Sequence, residues 1–151
     1  MVTVNKLKEE QLKLAAKVSI VDSVKNIKMI AGVEQAFAGS KIISGIVVCD
    51  YKSFKVIEKK YAVVDVNISY MSGLLFYREG PAAIEAFNKL EQKPDVLIVN
   101  GNGILHPRRI GMASHLGILL DVATIGVTKK LMLGEVKENT IYVDKKLGAT
   151  N

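Results

Sequence analysis

The sequence predicts a single α/β domain on a mixed sheet: an antiparallel three-strand meander followed by alternating helices and short strands. Two patterns carry this expectation. Residues 28–66 hold three strand-like segments separated only by short links, and residues 74–127 alternate helical periodicity with short continuous apolar runs. Size agrees: 151 residues, 49% hydrophobic and 24% charged, suit one soluble globular core.

Residues 5–19 read as an amphipathic helix, because Leu7, Leu14, Ala15 and Val18 recur near the helical period with lysines and glutamates between them. Residues 28–37 form the first strand and 41–51 the second, and the short Ala38-Gly39-Ser40 link makes them a hairpin. Residues 54–66 form the third, rich in β-branched Val56, Ile57, Val63 and Val64. Residues 69–73 read as a loop and 74–90 as a helix, with a break or a fresh helical start expected at Pro81. Residues 95–99 are a continuous apolar run, the pattern of a strand buried on both faces. Gly101-Asn102-Gly103 forces a turn. Residues 108–120 read as a helix with Ile110, Ala113, Leu116 (or Gly117) and Leu120 on one face, 123–127 as another short buried strand, and 136–143 as one further strand. Several α/β folds share this order, the ribonuclease-H-like fold among them.

No stretch approaches the 18 or so uninterrupted apolar residues of a membrane span, and the charged N-terminal segment lacks a signal-peptide apolar core. Cys49 is the only cysteine, so no internal disulfide forms; in the apolar run 45–49 it reads as a small buried hydrophobe. An intracellular, cytoplasmic setting is the expectation. The net charge of +6 and pI near 9.4 permit a polyanionic partner without demanding one, because the charge is spread along the chain and forms no basic tail.

The candidate chemistry lies in acidic and amide side chains. Glu34 falls inside the first strand, where a carboxylate among apolar neighbours is costly unless compensated. Glu79 follows the run Leu74-Leu75-Phe76-Tyr77 on a helix, and Asn100 closes the run 96–99 at a strand's carboxyl end, where open α/β sheets bind ligands. Two-metal phosphodiester hydrolysis needs hard oxygen ligands from separate elements. The structural alternative is that Glu34 lies at a sheet edge and Asn100 merely opens a turn. Gly101-Asn102-Gly103 lacks the third glycine of a dinucleotide fingerprint, that position being His106. If residues 106–115 were helical throughout, His106 and His115 would fall on opposite faces, about 900° apart. No cysteine pair offers a zinc site.

The run from Asp95 to Gly117, with Asn100-Gly101-Asn102-Gly103 and His106-Pro107-Arg108-Arg109-Ile110-Gly111-Met112-Ala113-Ser114-His115-Leu116-Gly117, resembles the endonuclease V family. There a strand reading D-V-L-L-V-D-G-H-G leads into I-A-H-P-R-R-L-G-x-A-S-H-L-G. Thr124 to Lys129 is similar to the family's T-I-G-V-A-K, Gly73 to Pro81 to G-L-L-A-F-R-E-G-P, and Ala31 to Phe37 to A-G-V-D-V-A-F. These motifs keep their order over residues 10–148. The resemblance implies a ribonuclease-H-like fold, with a three-strand meander plus parallel strands flanked by helices. It implies recognition of deaminated purine, chiefly inosine, in DNA or RNA, with cleavage of one phosphodiester bond 3′ of the lesion using Mg²⁺ or Mn²⁺.

By resemblance, Glu34, Glu79 and Asn100 stand at the metal and catalytic positions, and Lys129 near the scissile phosphate. Gly73, Leu75, Gly101, Gly103, His106 and Gly111 stand at base-pocket positions, and Tyr70 at the aromatic wedge that helps offset the cost of extruding the base. Arg108 and Arg109 sit beside the pocket where they could meet phosphates. The departures weigh as much. Glu34 and Asn100 each replace an aspartate: the first adds a methylene, and the second removes a charge that holds a hard dication. Asn102 replaces the histidine between two glycines. The loop Ser69 to Gly73 lacks both prolines of P-Y-I-P-G and is expected to be less rigid.

Residues 1–151 are thus expected to form one endonuclease V-like domain lacking the family's C-terminal segment and its site histidine. The expected function is recognition of inosine in nucleic acid, with metal-dependent cleavage weakened or lost. An active Mg²⁺- or Mn²⁺-dependent repair or processing nuclease and a non-catalytic interaction scaffold are the alternatives. No membrane is implicated; a homo-oligomer is left open, since an apolar face exposed by a missing segment needs a cover.

Overall fold

The computed structural model describes residues 3–143. Helix α1 (Val4–Ala15) is followed by strands β1 (Met29–Ala38), β2 (Lys41–Asp50) and β3 (Val56–Asp65), helix α2 (Leu75–Asn88), β4 (Val96–Asn100), helix α3 (Met112–Leu120), β5 (Ala123–Val127) and the short pair β6 (Glu135–Lys137) and β7 (Thr140–Tyr142). The five-stranded sheet has the order β3-β2-β1-β4-β5. β1–β2 and β2–β3 are antiparallel, and β1–β4 and β4–β5 parallel. The meander and mixed sheet are as expected, and β1, which carries Glu34, is the central strand.

Strand alternation divides this sheet into two unlike faces. Ala31, Val33, Ile46, Val48, Ala62, Leu97 and Val99 pack with Phe76, Ala83, Ala86 and Phe87 of α2 and with Met112, Ala113 and Leu116 of α3. The opposite face is open. It carries Glu34 and Asn100 together with Ile43, Tyr61, Val63, Ile125 and Val127, all exposed. Cys49, expected to be buried, is on this open face and half-buried. β5, expected to be buried, is the edge strand, with Ile125 and Val127 each 54% exposed. An apolar run signals a strand but not how many layers cover it.

Four further expectations change. Helix α2 runs unbroken through Pro81. Gly80 lacks the Cβ that would clash with the proline ring and push the preceding residue out of the helical region. Burial of Phe76, Ala82, Ala83, Ala86 and Phe87 offsets the missing backbone bond. The helix expected from residue 108 begins only at Met112. Arg109 before it is left-handed at φ 59°, and Gly111 is extended. The strand expected over 136–143 is a hairpin, because Glu138 turns the chain at φ 54° and reverses it into β7. Helix α1 ends at Ala15, short of residue 19, and buries Leu7 and Gln11 with Leu14 and Ala15 half-buried. Among the described residues no helix is long and apolar enough to cross a membrane.

Pro81 is solvent-exposed, so replacing it touches no core contact. Pro81→Ala restores a helical N–H and is expected to raise the unfolding free energy by roughly 2 kcal/mol, the interior-proline cost less what the rigid ring removes from the unfolded chain. Urea denaturation measures this; an unchanged midpoint would mean that α2 has already absorbed the strain.

Candidate functional site

The carboxyl end of β4 is where the candidate residues converge. Parallel pairing sets Val33 opposite Val99, so Glu34 on β1 and Asn100 on β4 lie side by side on the open face. The Asn100 amide donates to both Glu34 oxygens, at 2.8 and 3.1 Å, and Glu34 also accepts the Gln35 backbone N–H at 3.0 Å. Glu79 reaches this edge from the N-terminal half of α2. Burial raises its pKa above the usual carboxylate value, the Arg78 charge opposes that rise, and the Glu34 charge adds to it. Of the three predicted metal positions, Glu34 and Asn100 are in contact, and Glu79 is near enough to Glu34 for their charges to interact. Lys129 follows β5, whose last residue Val127 pairs with Asn100, so its exposed ammonium belongs to the same edge.

The donor set does not fit a firmly held dication. It has two carboxylates, one of them already paired with the amide of Asn100, and that amide adds no charge. The amide nitrogen of Asn100, not its oxygen, faces Glu34. Among the described residues no three His, Cys, Asp or Glu side chains form a group that could hold a metal ion.

A cavity of about 30 Å³ opens on the other side of this edge, lined by Gly73, Leu75, His106 and Gly111 among the expected pocket positions. Gly101 and Gly103 are not in its wall but shape the turn behind it: Gly111 N–H donates to Gly103 O at 2.8 Å and Ala113 N–H to Asn102 O at 3.0 Å. A side chain on Gly111 would run into the Asn102 backbone, so the turn and the start of α3 can approach only through glycine. The cavity holds about one water; a purine enters only if a lining side chain moves. Met132 is unbranched and closes one wall, with its sulfur 3.9 Å from Asn102 Nδ2. Asn102 Oδ1 is buried without a partner.

Both histidines are buried and neutral. His106 Nε2 donates to Gly73 O at 3.0 Å, since a carbonyl can only accept, and Nδ1 accepts the Arg108 N–H at 3.2 Å. Burial, opposed by the Gly73 hydrogen bond, lowers its pKa to about 4. His115 stacks on Phe76 with ring centroids 3.5 Å apart, and neither of its nitrogens has a partner. Burial, helped by the nearby His106, lowers its pKa to about 4 as well. Opposite faces were expected only if residues 106–115 were helical throughout; α3 begins at Met112, so that geometry does not apply, and a charge on His106 acts on His115.

Tyr70, in the loop before α2, is 66% exposed, the placement an intercalating ring needs. Arg109 is exposed, whereas Arg108 is turned inward. Its Nε donates to Gln11 Oε1 at 2.6 Å and its Nη2 to Gly73 O at 2.7 Å. Gln11, Asn102 and Met132 join the site without having been expected in it. Gln11 had one signal in the sequence: a glutamine one helical turn after Leu7, on the buried stripe.

These features have counterparts in known proteins. A sequence model of the endonuclease V family matches residues 12–147. The chain belongs to the endonuclease V family. It is 42% identical over 133 residues to an endonuclease V of Dictyoglomus turgidum, covering 88% of this chain and 57% of that protein. Identity to the Dictyoglomus thermophilum endonuclease V is 40%, covering 92% of this chain and 59% of that protein. The chain thus spans less than two thirds of the length of these relatives. Human endonuclease V catalytic domain superposes with a TM-score of 0.80 at 32% identity, covering 85% of this chain and 59% of that one. A Ciona intestinalis endonuclease V in complex with a 23mer DNA containing an inosine superposes with a TM-score of 0.79 at 28% identity, covering 87% and 61% of the two chains. The mixed sheet flanked by helices is the ribonuclease-H-like fold of this family.

Folding-linked protonation of the two histidines fixes an acid limit. Each is neutral in the fold with a pKa near 4 against an ordinary 6.5. The unfolded chain therefore takes up protons first. Their stabilising contribution is full above pH 6.5 and is lost as the pH falls from 6.5 toward 4, at about 1.4 kcal/mol per pH unit for each histidine. His115→Leu is expected to reduce the steepness of this loss by about half. Thermal melts between pH 7 and pH 4.5 read the slope, and an unaltered slope would remove His115 from the account.

Proposed function

We propose that this chain recognises deaminated purine, chiefly inosine, in DNA or RNA, and that its metal-dependent phosphodiester cleavage is weakened or lost. The pairing of the Asn100 amide with both Glu34 oxygens carries this reading. It ties up the carboxylate best placed to bind a dication and puts a neutral group where the family pattern has a charged one. The recognition features are retained: a glycine-rich turn beside a small cavity, an exposed aromatic before it, and exposed Arg109 and Lys129 that can meet phosphates. The Ciona intestinalis relatives bound to inosine-containing DNA support the choice of base.

A competent Mg²⁺- or Mn²⁺-dependent endonuclease is the second reading. Its support is that Glu34, Asn100 and Glu79 still share one site and Lys129 the same sheet edge. When bound, such an ion would supply charge stabilisation at the phosphate. Glu34 and Glu79 would be its charged ligands.

Single-turnover cleavage of single-stranded DNA and RNA oligonucleotides with one inosine, with protein in excess and Mn²⁺ present, separates these readings. The unaltered chain is expected to bind without appreciable cutting; rapid cutting confined to inosine overturns the loss of catalysis. Asn100→Asp places a second carboxylate against Glu34. It is expected to lower the melting temperature without metal through like-charge repulsion and to regain stability on adding Mn²⁺. A melting temperature indifferent to Mn²⁺ in that variant would show that position 100 is not a ligand.

Tyr70→Ala is expected to weaken binding to inosine-containing strands by roughly tenfold, the scale of one aromatic stack, with little change in stability. Fluorescence anisotropy measures it, and unchanged affinity removes Tyr70 from the interface.

A further inference from the structure

We propose that Gln11 is a positioning residue for the base pocket, and that α1 thereby sets the backbone from which Tyr70 and the pocket rim project; this rests on the inosine reading above.

Gln11 is 1% exposed, on a helix that buries only one other residue, Leu7. A buried carboxamide is costly unless both its ends are partnered. Here both are, across long stretches of chain. Nε2 donates to Gly73 O at 3.0 Å, and Oε1 accepts from Arg108 Nε at 2.6 Å. Arg108 closes the ring by donating Nη2 to the same Gly73 O at 2.7 Å. Neither partner can reverse its role, because guanidinium only donates and a carbonyl only accepts. The polarity of the amide is therefore fixed, and leucine could not take its place.

Three donors meet at the Gly73 carbonyl: Gln11, Arg108 and His106. Gly73 is left-handed at φ +76°, and a Cβ there would meet Arg108 Nη2 at 2.8 Å. The clamp thus requires glycine at this position. Tyr70 lies three residues before it. Leu75, two residues after it, begins α2 and lines the cavity. The loop has no proline to stiffen it, and α2 has no side-chain cap at its N-terminus. Arg78 holds the start of the loop by donating to Ile68 O at 3.0 Å, and Leu74 N–H donates to Met71 O at 3.0 Å; the bonding at Gly73 ties its end to the rest of the fold, and of the two residues that close the ring there, Gln11 alone comes from α1. The Tyr77 hydroxyl holds α1 in place by donating to Leu7 O at 2.9 Å.

The test compares Gln11→Leu, Gln11→Glu and a control, Val48→Ala, which lowers stability from the sheet core without touching α1 or the clamp. Two readouts are taken: hydrogen–deuterium exchange over residues 69–76, and the ratio of affinities for inosine- and adenosine-containing single strands in metal-free buffer. Gln11→Leu is expected to speed exchange in that segment and to lower the ratio roughly tenfold, the scale of one buried hydrogen bond. Gln11→Glu, which keeps the acceptor for Arg108 but loses the donor to Gly73, is expected to fall between. Val48→Ala, compared at equal distance below its own melting temperature, is expected to leave both unchanged. If Val48→Ala matches Gln11→Leu, or Gln11→Leu alters neither readout, the proposal is overturned. If the unaltered chain shows no inosine preference, the functional reading fails instead, and the exchange data alone decide the clamp.

Discussion

At the start of the β1–β4 pair, the Asp95 carboxylate accepts the Lys28 and Met29 backbone N–H groups at 2.8 and 2.9 Å, while Asp95 N–H donates to Met29 O at 2.9 Å. These hydrogen bonds hold the Asp95 carboxyl below its ordinary pKa. They also join two segments 66 residues apart in one register. A parallel pair has no hairpin to set its alignment, so a specific anchor matters more than in the β1–β2 meander. Sliding β4 by one residue would turn Asn100 to the packed face and away from Glu34. The site, the direction of the following turn and the place of β5 all descend from this one junction.

Two networks meet at the resulting edge, and they differ in kind. On the open face the interactions are ionic and incomplete: Glu34 is exposed and satisfied by an amide, and Glu79 is held toward its neutral form by burial. Around the cavity the interactions are closely placed: a carbonyl with three donors, one of them the Arg108 guanidinium, a histidine in one tautomer, and glycines where a Cβ would collide. Loss of charge at position 100 weakens the first network without disturbing the second, because the two share only backbone.

The cavity turns this rigidity into a specific problem of access. Its present volume suits a water, and its walls combine glycine backbone with side chains, the unbranched Met132 thioether among them. A ligand that enters must displace that thioether and can satisfy the partnerless Asn102 oxygen.

By itself the sequence determined the periodicities: the meander, the helices, the glycine turn, and the motifs that placed Glu34, Asn100, Tyr70 and His106 in a common family pattern. These follow from local spacing and residue type. The tertiary structure decided which features depend on distant neighbours. Pro81 stays helical because the apolar stripe around it is buried, a packing term invisible to a local rule. The helix expected at 108 starts at Met112 because the left-handed Arg109 and extended Gly111 turn the backbone, while the Arg108 side chain is spent on Gln11 and Gly73, 97 and 35 residues away. The exposure of β5 and Cys49 reflects how many layers cover each face, a count that an apolar run does not encode. Gln11 read as an ordinary polar residue in an amphipathic helix, and only the fold brings a guanidinium and a carbonyl to its two ends.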